Sequence, residues 1–332
     1  MGYSLFSKYR SELMGVAMLW VMCFHAFDLD TGSPTLGFLR SIGFGGVDIF
    51  IVLSIMGLVM SLSRKEQDYS SFMARRARRI LPAYFIVMLA YTLFGIARGT
   101  APWSALFWNS SLLYYWVHAA GAFNWYIAGI MLFYALTPWC FRRMRDSRHR
   151  EGLTLAGVLA GLVVCRLLIM DDYWNHLDVF YRFPLFFLGL LMGFYVLEDR
   201  KLGRTGWLFW GLSLVCGGVY LKLMPLAEAR GLYLPLCHLF LFTTIPMCLL
   251  LCVLFEKLPL GWLRRFFRLL GENSLEIYLF NVSFFAENAL LQGWFGFGPS
   301  RRLYYLISFT LNILLGVGLH KLVERLRPRK KA

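Results

Sequence analysis

A chain of 332 residues that is 58% hydrophobic and 17% aromatic, with mean hydropathy +0.57, is too apolar for a soluble domain, where roughly 45–50% apolar residues are usual. The formal net charge of +15 does not point to nucleic acid, because the positive residues fall between apolar runs, as in loops that face anionic lipid. Composition implies an all-α, polytopic membrane protein.

Spanning a hydrocarbon core of ~30 Å takes ~20 helical residues. Ten apolar runs bounded by charge meet that requirement approximately: 12–27, 43–63, 80–97, 123–141, 153–170, 183–197, 207–221, 233–255, 269–286 and 303–323. The first run lacks a small-residue cleavage site and is followed by others, so it is expected to be retained as an anchor. Residues 101–117 are also apolar, but Pro102, Asn109, Ser110 and Ser111 mark that stretch as interfacial or re-entrant. Alternating through ten spans from an inner N-terminus places most of the 34 Lys and Arg on one side, which predicts cytoplasmic termini by the positive-inside rule. No repeat, low-complexity tract or domain-length linker interrupts the chain, so residues 1–332 are expected to form a single membrane domain. The seven cysteines lie in or at the ends of apolar runs without CxxC or Cys/His spacing, which reads as small core residues and predicts no disulfide and no metal site.

Taken in order, the ionisable residues within or beside the spans suggest a centre, since such residues are costly in lipid and functional by default. His25 lies 13 residues beyond Glu12, ~20 Å along the first span, which puts it in the outer half of the membrane. The second span runs the other way and carries Asp48 near its outer end. An imidazole and a carboxylate at one depth could pair, the carboxylate fixing the tautomer while His25 takes a proton. Alternatively each is bonded separately, Asp48 near Gly45 and Gly46.

Arg75, Arg76, Arg78 and Arg79 stand at the inner mouth of the third span. Arg76 and Arg79 share a helix face, as do Arg75 and Arg79, and guanidinium forks suit phosphoryl oxygens. The same density would serve as topogenic charge on anionic lipid. Asn124 and Trp125 open the fourth span and Arg182 the sixth, both at the outer level. Arg166, inside the fifth span, calls for a partner such as Asp171 or Asp172. Glu276 and Asn281 lie in the ninth span, where they either approach the outer cavity or hold helices together. His118, His149, His176, His238 and His320 have no ligand spacing among them.

These motifs, in their order, resemble the bacterial membrane acyltransferase family 3, which includes acetylases of O-antigen, peptidoglycan and other envelope glycans. The resemblance rests on Glu12 to Gly15 with His25; on Gly46-Val47-Asp48 continuing to Ser54; and on Arg75 to Pro82. It continues through Asn124-Trp125-Tyr126-Ile127 with Phe133-Tyr134, Arg182-Phe183-Pro184 with Gly189, and Gly271 through Ser274, Ile277, Tyr278 and Leu279. It implies transfer of an acyl group, usually acetyl from acetyl-CoA, to a hydroxyl of a cell-envelope or exported saccharide, lipid-linked or polymeric, at the bacterial inner membrane. No permanently bound cofactor is implied. His25 would be the essential base, Asp48 its helper, and Arg76 and Arg79 the donor-binding RxxR pair. Arg75, Arg78 and Arg10 would join the donor site, and Asn124, Trp125, Arg182, Glu276 and Asn281 would line the acceptor side. Two departures stand out. Met14 occupies the place of an arginine found in many members eleven residues before the histidine, where Arg10 is the substitute one turn lower. Asn281 stands where some members carry a second histidine. A non-catalytic carrier of a polar or acyl-linked substrate is the competing expectation.

Overall fold

The computed structural model describes residues 1–27, 29–65, 67–117, 125–171, 177–259, 261–285 and 301–326. Among them the chain is helical, with one isolated bridge between Gly2 and Lys201 in place of any sheet. The helices are α1 (Leu5–Lys8), α2 (Arg10–Phe24), α3 (Pro34–Ser41), α4 (Gly45–Arg64), α5 (Tyr69–Ala97), α6 (Ser104–Ser110), α7 (Tyr114–Val117) and α8 (Trp125–Arg145). They continue with α9 (Arg150–Met170), α10 (Leu177–Phe180), α11 (Phe183–Leu197), α12 (Arg204–Glu228), α13 (Leu239–Lys257), α14 (Gly261–Glu272), α15 (Ser274–Phe280) and α16 (Arg301–Leu326).

Among the described residues, seven helices are long and apolar enough to cross a membrane: α4, α5, α9, the α10–α11 unit, α12, α13 with its preceding turn, and α16. Three of the ten expected spans meet the requirement only in part. Helix α2 has 15 residues, α8 ends in Arg142, Arg143 and Arg145, and the ninth run breaks between α14 and α15 at Asn273 before a π turn over Asn281–Phe285. The 101–117 stretch does not span. Helix α6 has seven residues and folds back on α5, with Asn109 Nδ2 donating to Thr92 Oγ1 at 3.0 Å and Tyr84 donating to the Asn109 carbonyl at 2.6 Å.

A helix that is apolar all round must be sheathed either by protein or by lipid, and burial tells the two apart. Helices α4 and α11 are 78% buried over their apolar windows, whereas α12, with Leu208, Phe209, Leu212 and Val215 exposed, is 11% buried. The former are the centre of the bundle and the latter its lipid face. All seven cysteines are free thiols. Arg166 is exposed on α9, and no ion pair joins it to Asp171 among the described residues; Asp172 lies outside them.

Small residues let backbones touch where hydrophobicity gives no preference for one neighbour over another. A Cβ on Gly46 would lie 2.5 Å from the Ala17 carbonyl oxygen, so α4 runs antiparallel against α2 at contact distance. On the other flank, Gly15 and Gly271 meet: a Cβ on either would lie 1.8 Å from the carbonyl oxygen of Phe267 or Ser11, respectively. Helix α2 is thus clamped between α4 and α14. Glu12, buried at the foot of α2, accepts from Arg268 at 2.7 Å and lies 3.8 Å from Arg264, which draws the basic face of α14 onto it. Helix α5 begins at Asp68, whose side chain accepts from the Ser71 N–H at 3.0 Å and from Ser70 Oγ at 2.6 Å. These bonds hold its carboxyl well below the usual carboxylate range. With 29 residues, or ~43 Å, α5 exceeds the hydrocarbon thickness, so its arginine turn projects beyond the apolar layer.

Candidate active site

The clamp on α2 has a consequence for chemistry, because α2 carries Arg10 at one end and His25 just past the other. Each end opens into a chamber.

The chamber at the arginine end, about 220 Å³, is bounded by α2, α4, α5, α8 and α15. Arg10, Arg76 and Arg79 all line it. Arg10 Nε donates to the Leu53 carbonyl at 3.1 Å, and the guanidinium lies against Gly57, where a Cβ would approach it to 3.3 Å. Arg76 Nη2 lies 3.5 Å from Ser61 Oγ, with its guanidinium 5.4 Å from the centre of the Phe72 ring. Three cations with no carboxylate among the lining residues make a site for an anion. Met14 lines the same chamber, so Arg10 does stand one turn below the position of the missing arginine and reaches the same space. Arg75 and Arg78 do not share it. Arg75 donates to Gln67 and Arg78 Nε to the Ala74 carbonyl at 3.2 Å, both exposed on the other side of α5. Of the four arginines, Arg76, half-buried, and Arg79, more exposed, line the chamber; the helical period alone, which also sets Arg75 beside Arg79, would not have separated them.

The chamber at the histidine end, about 330 Å³, holds His25, Trp125, Asp178, Arg182, Cys237 and Tyr278 among its walls. His25 follows the last residue of α2, and its Nδ1 lies 3.0 Å from the Val21 carbonyl oxygen. A carbonyl only accepts, so Nδ1 carries the proton and Nε2 is left as the base. Asn281 adjoins the imidazole. Its Oδ1 is buried beside the ring and has no other hydrogen-bond partner among the described residues.

The expected pairing of His25 with Asp48 is not formed. Gly46 contacts Ala17 and Val21, so Asp48 sits roughly two turns below His25. The depth argument fails because α4 starts below the end of α2: Gly43 already lies against Trp20 and Phe24, and Asp48 is five residues further in. Asp48 instead meets Arg182, Oδ1 to Nε at 3.5 Å, with both side chains buried. Nor does Asp48 cap its helix. Arg182, with Tyr181, joins α10 to α11 and stands at the N-cap of α11; it also donates to the Asp178 carbonyl and stacks 4.8 Å above Trp125. Arg182 Nε and Asp48 Oδ2 make no hydrogen bond among the described residues, so charge pairing and the cation–π contact are what offset the burial of these groups. The Asp48–Arg182 pair therefore acts on the His25 chamber through Arg182 rather than through the imidazole.

Glu276 is not brought to this chamber. It accepts from or pairs with His320 Nδ1 at 3.1 Å across α15 and α16, in a separate recess with Glu272, Glu324 and Arg79. The reason is angular: Glu276 and Tyr278 are two residues apart on a helix and face different ways. Asn124 lies outside the described residues; Trp125, its neighbour, lines the chamber. Two lining residues carried no role in the sequence reading. Asp178 sits at the chamber rim, exposed, and its place depends on the α10 turn. Tyr278 belonged to the motif of the ninth run, with no role of its own. It is the one described residue that lines both chambers.

A bundle of membrane-length apolar helices closed around a cationic chamber and a histidine chamber defines a multi-pass membrane protein with an internal polar site. The chain belongs to the acyltransferase family 3: that family's acyltransferase domain matches residues 13–321. It is a membrane acyltransferase. No curated protein and no solved structure matches it.

Proposed function

We propose that this acyltransferase moves an acetyl or other short acyl group from acyl-CoA to a hydroxyl of a cell-envelope or exported saccharide in the bacterial inner membrane. The single observation that carries this reading is the pair of chambers back to back, arginines in one and a tautomer-fixed histidine in the other. CoA is a phosphate-rich donor with a long thiol arm, so Arg10, Arg76 and Arg79 are the groups to hold its phosphates. The arm then directs the thioester towards His25. Ten spans with both termini cytoplasmic put the arginines on the side where CoA is made, and residues 1–332 act as one membrane domain.

In the reaction His25 Nε2 takes the acceptor hydroxyl proton as the oxygen bonds to the thioester carbonyl carbon. Collapse of the tetrahedral intermediate breaks the C–S bond, and the proton on His25 passes to the leaving thiolate. The Val21 carbonyl holds the ring throughout. Asn281 Oδ1 is placed to accept from the imidazolium, which supports its assignment to the acceptor side. Arg182, fixed by Asp48 and Trp125, presents a cation to the intermediate's oxyanion.

The test is release of CoA from labelled acetyl-CoA by protein reconstituted in nanodiscs with envelope saccharide. Removing a general base costs roughly 10²–10⁴-fold, which is the loss expected for His25→Ala. Wild-type turnover in that variant would overturn the assignment of the base.

A further inference from the structure

Two chambers that serve one reaction must communicate, and the point of contact is narrow. Tyr278 lines both. It is 3% exposed, and its ring meets that of Tyr126 edge-on at 5.1 Å between centroids. Tyr126 is in turn 6.4 Å from Phe50 on α4, so the three rings extend from α15 through α8 to α4. On the α15 side Tyr278 is held from behind: Gly316 of α16 lies so close to Ile277 that a Cβ would come within 2.5 Å of it. The backbone at Tyr278 cannot back away, so the side chain is the movable element.

Resting on the acyl-CoA reading, we propose that Tyr278 is the partition between the donor and acceptor chambers and limits the size of the acyl group that can cross. The Tyr278 hydroxyl makes no hydrogen bond to the described residues. It is therefore free to donate to the thioester carbonyl of an arm that has entered beside the ring. A two-carbon acyl group passes with a rotation of the side chain, whereas a longer chain meets the Tyr126 and Phe50 rings. Closure of the ring keeps the thioester from water on the histidine side until an acceptor is present.

The test uses the full-length protein in sealed vesicles and a membrane-impermeant maleimide applied from the arginine side. Cys237 lines the histidine chamber and is one reporter; Phe44→Cys, in a background lacking the native cysteines, is a second on the same chamber. Labelling from the arginine side should be slow in the parent protein, slow in Tyr278→Phe and at least tenfold faster in Tyr278→Ala. Equal labelling in all three overturns the partition. The chemical readout is the ratio of hexanoyl to acetyl transfer, expected to rise at least tenfold in Tyr278→Ala and to stay unchanged in Tyr278→Phe; an unchanged ratio in Tyr278→Ala overturns the size limit. The two readings fail separately. Faster labelling in a protein that transfers no acyl group from CoA would retain the partition and remove the donor assignment.

Discussion

Replacing Gly15 by alanine adds a single methyl group at the point where two helix backbones touch. That methyl would sit 1.8 Å from the Phe267 carbonyl oxygen and 2.6 Å from its carbon. A carbon–oxygen contact needs about 3.3 Å, so α2 and α14 must part by roughly 1.5 Å at this level. Overpacking typically costs ~1–3 kcal/mol, and a backbone carbonyl yields less than a side chain, which puts Gly15→Ala at the upper end. Because α2 carries both Arg10 and His25, the displacement shifts the base relative to Asn281 and Tyr278. A misplacement of ~1 Å can lower turnover on the order of 10²-fold. Unfolding temperature in detergent and the rate of acyl transfer are the two measurements. Gly318→Ala on α16 is the control, since nothing lies within 4 Å of its position. That change should be neutral or stabilise by ~0.5–1 kcal/mol through helix propensity. If Gly15→Ala unfolds at the same temperature as Gly318→Ala and turns over at the parent rate, the clamp on α2 does not exist.

Other substitutions probe the two chambers. Arg182→Ala leaves the Asp48 carboxylate buried without its cation and should cost about 3–5 kcal/mol, read as a fall in unfolding temperature that Asp48→Asn partly restores; no fall would refute the buried pair. Among the arginines, Arg10→Ala, Arg76→Ala and Arg79→Ala should each raise the KM for acyl-CoA, by about tenfold or more for a charge-assisted bond of ~1.5–3 kcal/mol. Arg75→Ala and Arg78→Ala should change it less than twofold, and equal effects at all five positions would mean that diffuse charge is what matters. Asn281→Leu should lower kcat while leaving the KM for acyl-CoA unaltered, since Asn281 adjoins His25 and not the arginine chamber.

The sequence by itself determined the class of protein. Apolar runs of span length, the charge bias between them and the ordered motifs from Glu12 to Tyr278 were enough to read a multi-pass acyltransferase, because those signals are local in the chain. The helical period set both Arg76 and Arg75 beside Arg79, and only the packing of α5 brought Arg76 and Arg79, without Arg75, to the chamber. What lay beyond the sequence was everything set by contact between helices. Depth along separate helices suggested that Asp48 would meet His25, yet the Gly46 contact with α2 sets the two about two turns apart, and Arg182 takes the carboxylate instead. The histidine tautomer follows from the Val21 carbonyl one turn back, which becomes decisive only once α2 is seen to end there. Glu276 was a plausible acceptor-site residue until the azimuth of α15 turned it towards His320. Tyr278 had no role in the linear reading, because a wall between two chambers is a property of three helices meeting and of no single stretch of chain.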